Sequence, residues 1–130
     1  MKPVDVVREF VDRFNAADVD GLMELYSEDA INHQVVTEPL VGHQAIRRLF
    51  EVEFARAEMV CIPDQIHEAG EWAILEWKDP LGLRGCGFFH IVGGKIVFQR
   101  GYFDQLSFFR LQGIPVPEDY FESMIRVDIQ

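Results

Sequence analysis

Basic residues are scarce in this chain. Its 130 residues carry 12 Lys and Arg against 22 Asp and Glu, a formal charge of −10. A nucleic-acid binder needs a basic footprint that displaces counterions from phosphates, and this composition excludes one. Anionic membrane surfaces would repel it as well. Neither nucleic acid nor membrane is an expected partner. Long apolar runs are missing: no stretch approaches the ~18 residues that cross a bilayer. Met1-Lys2-Pro3-Val4-Asp5 has no apolar signal region and runs straight into a helical pattern, so a cytoplasmic location is expected. Cysteine is nearly absent. Cys61 and Cys86 form no CxxC, and each falls in an apolar, strand-like run, which reads as two buried free thiols. His33, His43, His67 and His90 are scattered, with no HxH or HxxxH spacing to hold a metal. Nothing points to a redox group, and no cofactor is expected.

What is abundant is apolar: 48% of the residues, eleven of them Phe. A chain of this length buries roughly two-thirds of its unfolded surface, enough for one core without staples. So much Phe fits either a thick core or a wide apolar cavity. No linker, repeat or low-complexity segment divides the chain. It reads as one domain over 1–130, with a core of about 4–114 and a tail over 115–130.

The order of elements follows from periodicity. Val6, Val7, Phe10, Val11 and Phe14 recur at helical spacing after Pro3, which suits a first turn. Asp18 or Asp20 can cap a second helix carrying Leu22, Met23, Leu25 and Tyr26. Ala30 to Val36 reads as a short strand, and 38–42 as a loop. Ile46, Leu49, Phe50 and Phe54 mark a third helix. From Met59 the period shifts toward two. Strands are expected over 59–68, where Pro63 implies an edge or bulge, and over 72–78, 83–92 and 95–104. Gly93-Gly94 joins the last two as a hairpin. A short helical turn follows to Gly113, and Tyr120, Phe121, Met124 and Ile125 have helical spacing in the tail. Helices first and antiparallel strands last imply an α+β fold, with helices covering one face of a curved sheet.

Three blocks carry a resemblance to a known family. They are Phe10-Val11-Asp12-Arg13-Phe14-Asn15-Ala16-Ala17-Asp18 with Leu22 through Ala30, then Glu38-Pro39-Leu40-Val41-Gly42 into Ala45-Ile46, then Gly94-Lys95-Ile96-Val97 through Tyr102-Phe103-Asp104 to Leu111-Gln112-Gly113. Over about 4–114 the chain resembles the SnoaL-like, nuclear transport factor two-like (ketosteroid isomerase-like) superfamily. The resemblance implies a cone: a curved antiparallel sheet wrapped around three N-terminal helices, with a small-molecule pocket at its wide end. It also implies a homodimer through the sheet's outer face, here carrying Phe88, Val97 and Phe98.

The superfamily's catalytic positions are mostly emptied. Where ketosteroid isomerases carry Tyr, Asp and a protonated Asp, the aligned residues are Phe10, Gln34 and Gly87. The His and Asp of SnoaL-type cyclases fall on Gly87 and Gly101. The Asp-Arg-Asp set of limonene epoxide hydrolase-like enzymes falls on Asp79, Trp77 and Gly101, with Asn32 and Gln34 at the water-holding positions. Parity then places Trp77 with Asp79, Gly85 and Gly87 with Phe89, and Gln99 and Gly101 with Phe103 on one inner face. The glycines are expected to enlarge a pocket walled by Trp77, Phe89, Phe103 and Phe108. Asn32, Gln34, Asp79 and Gln99 give it a thin polar lining. His33 faces the other way, and His90 with Asp104 forms a pair only if a bulge brings them to one face.

Two readings stay open. In one, Asp79 is the acid–base group of an isomerase, cyclase, dehydratase or hydrolase acting on a small hydrophobic molecule. In the other, the pocket binds such a molecule without chemistry, and Asp79, next to Pro80, is a turn residue.

Overall fold

Residues 1–116 and Asp119 are described in the computed structural model. Helix α1 (Pro3–Asn15) buries Val6, Val7, Phe10 and Val11 along one stripe. Helix α2 (Val19–Leu25) starts at Asp18, whose carboxylate accepts the Gly21 N–H at 2.9 Å. A side chain at Gly21 would strike that cap, with its Cβ 2.1 Å from Asp18 Oδ2. Strand β1 (Tyr26–Gln34) follows directly, then β2 (Leu40–Val41), α3 (His43–Arg56), β3 (Ile62–Ala69), β4 (Trp72–Lys78), β5 (Arg84–Val92), β6 (Lys95–Phe103) and α4 (Gln105–Gln112). Helix α4 stops at Gly113, which takes the left-handed conformation (φ 71°) that a side chain disfavours.

The six strands form one curved sheet in the order β2-β1-β6-β5-β4-β3. The meander β3 to β6 is antiparallel throughout, as its short turns require. Strand β1 lies beside β6 in parallel, so the sheet is mixed rather than wholly antiparallel. Strand β3 is the exposed edge expected from Pro63, with a register shift between Pro63 and Gln65.

Two elements depart from expectation. Tyr26 belongs to β1, not to the second helix, and β1 begins four residues earlier than its apolar pattern suggests. Leu40 and Val41 are a short strand on β1 rather than a loop. In both places strand pairing overrides local spacing. The helical spacing at 120–125 lies outside the described residues. Val6, Val7, Leu22, Ala30, Ile46, Ala73 and Ile96 are wholly buried between helices and sheet. Phe10 meets Phe89 of β5 edge-on, with ring centroids 5.1 Å apart.

Candidate functional site

The strand register brings the expected residues to one face. Asn32 and Gln34 pair with Gln99 and Gly101 across β1 and β6. Gln99, Gly101 and Phe103 pair with Phe89, Gly87 and Gly85 across β6 and β5, and Gly85 pairs with Trp77 on β4. Parity survives the whole hairpin because of one irregularity. The register shifts between His90 and Ile91, where His90 pairs with Phe98 and Ile91 with Ile96. Val97 is thus the extra residue. Ile96 and Gln99 are buried on the helix side, while Phe98 stays on the other.

At the centre of this face lies a buried polar cluster. Asn32 is 1% exposed and Gln99 6%. Gln34 Nε2 donates to Asn32 Oδ1 at 2.9 Å, and Asn32 Nδ2 donates to Gln99 Oε1 at 3.2 Å. The Tyr26 hydroxyl also donates to Gln99 Oε1. Each amide therefore fixes the next, and such satisfied networks hold their side chains rigidly. Burial pushes the Tyr26 hydroxyl pKa up; the Asn32 contact works against this and the charge of Glu53 adds to it. Tyr26 is neutral at physiological pH, so all four members of the cluster are uncharged. Sequence reasoning missed Tyr26 because its apolar neighbours in α2 placed it on a helix.

The glycines do not leave an empty chamber. A Cβ at Gly101 would lie 2.1 Å from Gln34 Oε1, and one at Gly85 2.5 Å from the Trp77 indole. One at Gly87 would lie 3.1 Å from Phe89. The missing side chains are replaced by Gln34, Trp77 and Phe89, which fold over the strands. That corrects the expectation of open space at these positions. Phe103 meets Phe108 of α4 with centroids 6.0 Å apart. Two hollows lie elsewhere: one of about 320 Å³ at the strand ends, beside Arg84, Cys86 and Tyr102, and one of about 400 Å³ by Asn15 and the end of α3.

Asp79 lies past the end of β4 and serves the turn. Its Oδ1 accepts the N–H groups of Leu81 and Leu83, each at 2.9 Å. This is the geometry of a turn-stabilising aspartate, and no substrate group is needed to explain it. His33 faces away from the cluster and reaches the Thr37 carbonyl at 3.1 Å. His90 lies on the convex face of β5, whereas Asp104 lies past the end of β6. His90 stacks on Trp72 at 4.7 Å, and Asp104 caps α4 through the Leu106 N–H and the Ser107 hydroxyl. They form no pair.

Sequence reasoning also passed over one titratable group near the cluster. Glu53 sits on the inward side of α3, one turn beyond buried Phe50, and is itself half-buried. Burial raises its pKa, which Arg56 offsets in part. Helical spacing alone marks 46, 50 and 53–54 as one stripe, and a carboxylate within such a stripe is the clue that was available. Both cysteines are free thiols, with Cys61 buried and its pKa pushed up to about 11 by burial.

A curved sheet with helices over one face and polar groups gathered beneath them defines a cone-shaped α+β fold of the nuclear transport factor two-like class. The model of the SnoaL-like domain family matches residues 7–99, and the chain belongs to that family. No match is found among curated protein sequences. Solved structures share the fold at low identity. A Catenulispora acidiphila protein with a ketosteroid isomerase-like fold, in complex with trimethylamine, superposes with TM-score 0.78 at 14% identity, covering 88% of this chain and 96% of its own. An LEH-like epoxide hydrolase of M. tuberculosis gives 0.74 at 22% identity, covering 84% and 87%. A candidate polyketide cyclase from Sinorhizobium meliloti gives 0.70 at 22%, covering 75% and 94%.

Proposed function

We propose that this protein binds a small, largely apolar molecule on the inner face of its sheet, without performing acid–base chemistry through Asp79. The observation that carries this reading is the buried, uncharged Tyr26–Asn32–Gln34–Gln99 cluster amid aromatic walls. Binding sites of this kind pair apolar surface with a few fixed polar groups. Half-buried Gln34 rests over Gly101, and its side chain is the piece that gives way to a ligand. The hydrolase and cyclase reactions named for the fold's neighbours are not carried over, since the aligned acids are glycines or, at Asp79, committed to a turn.

The test is calorimetric titration with neutral 2-naphthalenemethanol. The wild type is expected to bind it, and Gly101→Leu to lose binding, because the new side chain occupies the space of Gln34. The stability cost should be moderate, about 1–3 kcal/mol, since only a flexible side-chain tip must move. Undiminished binding by Gly101→Leu would place the ligand elsewhere.

The convex face suggests the assembly. Arg100 lies 5.5 Å from the Phe88 and Phe98 rings and 5.8 Å from Tyr102, and its buried Nε has no partner. Glu76, on the same face by register, makes no ion pair among the described residues. The face is thus complementary to itself, and the proposed occupant is a second copy with Glu76 meeting Arg100 about a two-fold axis. Sedimentation should show twice the 15.0 kDa chain mass for the wild type and a monomer for Phe98→Asp. A monomeric wild type at micromolar concentration removes the proposal.

A further inference from the structure

The carboxamide of Gln34 rests in the space that a side chain at position 101 would take. A Cβ at Gly101 would stand 2.1 Å from its Oε1, 2.8 Å from its Cδ and 2.9 Å from its Nε2. Gly101 is thus the floor of a niche one amide group wide, and the niche is filled rather than hollow. Register sets its wall, since Asn32 pairs with Gln99 and Gln34 with Gly101 on one face of β1 and β6. Gln34 uses the niche only in part. Its Nε2 donates to Asn32 Oδ1 at 2.9 Å, but its Oε1 accepts nothing among the described residues. Gln99 shows the matching gap. Its Oε1 accepts from the Tyr26 hydroxyl and from Asn32, while its Nε2 donates to no group among the described residues. Gln99 is only 6% exposed, and a buried N–H without an acceptor is costly. The side-chain atoms both fully enclosed and unpartnered, among the described residues, are Ser27 Oγ and Arg100 Nε, so Gln99 Nε2 keeps an opening through which an acceptor can reach it. Beside the glycine floor the wall therefore offers one acceptor, Asn32 Oδ1, and one unused donor, Gln99 Nε2.

We infer that the Gln34 side chain is an internal stand-in for the ligand, and that the ligand's polar group is an uncharged carboxamide carried on an apolar body. The inference rests on the inner-face binding reading above and sharpens it. A free amide is not tethered to β1, so its N–H can donate to Asn32 Oδ1 while its oxygen accepts from Gln99 Nε2. It makes two hydrogen bonds where Gln34 makes one, and half-buried Gln34 turns to water. A ketone or ester satisfies only Gln99, because it brings no donor for Asn32. An ammonium group brings no acceptor for Gln99. A carboxylate lacks the donor as well, and would leave water for a cluster that holds no cation.

Two probes of one shape decide the chemistry: 2-naphthamide and 2-acetonaphthone, which differ by NH2 in place of CH3. In calorimetric titration the wild type should bind the amide about tenfold or more tightly than the ketone, since only the amide serves Asn32. Gln34→Ala empties the niche and removes the competing side chain. It should bind the amide about tenfold more tightly than the wild type does, because no occupant has to leave first. The wild-type ranking needs no variant and guards against a misfolded Gln34→Ala. A ketone that binds as well as the amide overturns the carboxamide ligand. Weaker amide binding by folded Gln34→Ala overturns the stand-in role and makes Gln34 part of the wall. Either result leaves the inner-face pocket standing. Failure of both probes to bind the folded wild type and folded Gln34→Ala overturns the pocket and the inference together.

Discussion

Replacing Phe50 with alanine is expected to destabilise the protein by about 3–5 kcal/mol, the range for emptying a buried aromatic site. Phe50 is 2% exposed, and its ring lies 6.4 Å from Phe10, 6.4 Å from Phe14, 6.1 Å from Tyr26 and 5.8 Å from Phe54. These rings come from α1, β1 and α3, so no single side-chain shift can refill the void. A domain of this kind has only ~5–15 kcal/mol to lose. Urea unfolding should therefore show a much lower midpoint with an unchanged slope. A loss below about 1 kcal/mol would mean that the helices close over the gap, and that Phe50 does not hold α3 and Glu53 against the sheet.

Asn32→Leu should affect both stability and binding. Leucine keeps the branched outline of asparagine but is bulkier and offers nothing to Gln34 or Gln99. Asn32 Oδ1 is the acceptor for Gln34 at 2.9 Å, and its Nδ2 is one of two donors to Gln99 Oε1. The Tyr26 hydroxyl remains to serve Gln99, and half-buried Gln34 can turn to water. The expected cost is thus that of a partly broken network, about 1–3 kcal/mol. Affinity for 2-naphthalenemethanol should fall about tenfold, because Gln99 loses one of the two donors that fix its amide. A stable variant with full affinity would show that the cluster supports the core and nothing more.

How far the sequence exposes this site depends on which physical rule governs each residue. Alternation along a strand needs no partner to be read, so Gly85, Gly87 and Phe89 could be set on one face from their numbers alone, while Trp77 joins them through the β4–β5 register. The same rule would have failed across β6 without the extra residue Val97. Ile96 and Gln99 are both inward only because the register shifts between them. Tyr26 was illegible because it ends an apolar helical stripe, and only pairing with β6 draws it into a strand. The glycines were legible as positions and misread as space: what fills them is a neighbour's side chain, and rotamers leave no trace in spacing. Asp79 beside Pro80 could be a turn residue or an acid, and only the structure shows that its Oδ1 accepts two backbone N–H groups of the turn. Glu53 shows the reverse case: periodicity sets it inside an apolar stripe, but residue type alone reads an acid as surface.

In the proposed binding mode a small molecule occupies the inner face, in contact with the amide cluster. The most direct measurement is a two-dimensional NMR titration with 2-naphthalenemethanol, following the side-chain NH2 resonances of Asn32, Gln34 and Gln99. Saturable shifts are expected at these three amides and at the Trp77 indole N–H, with the Trp72 indole on the convex face unmoved. Shifts confined to Trp72 and the convex strand residues, with the three amides unchanged, would contradict it.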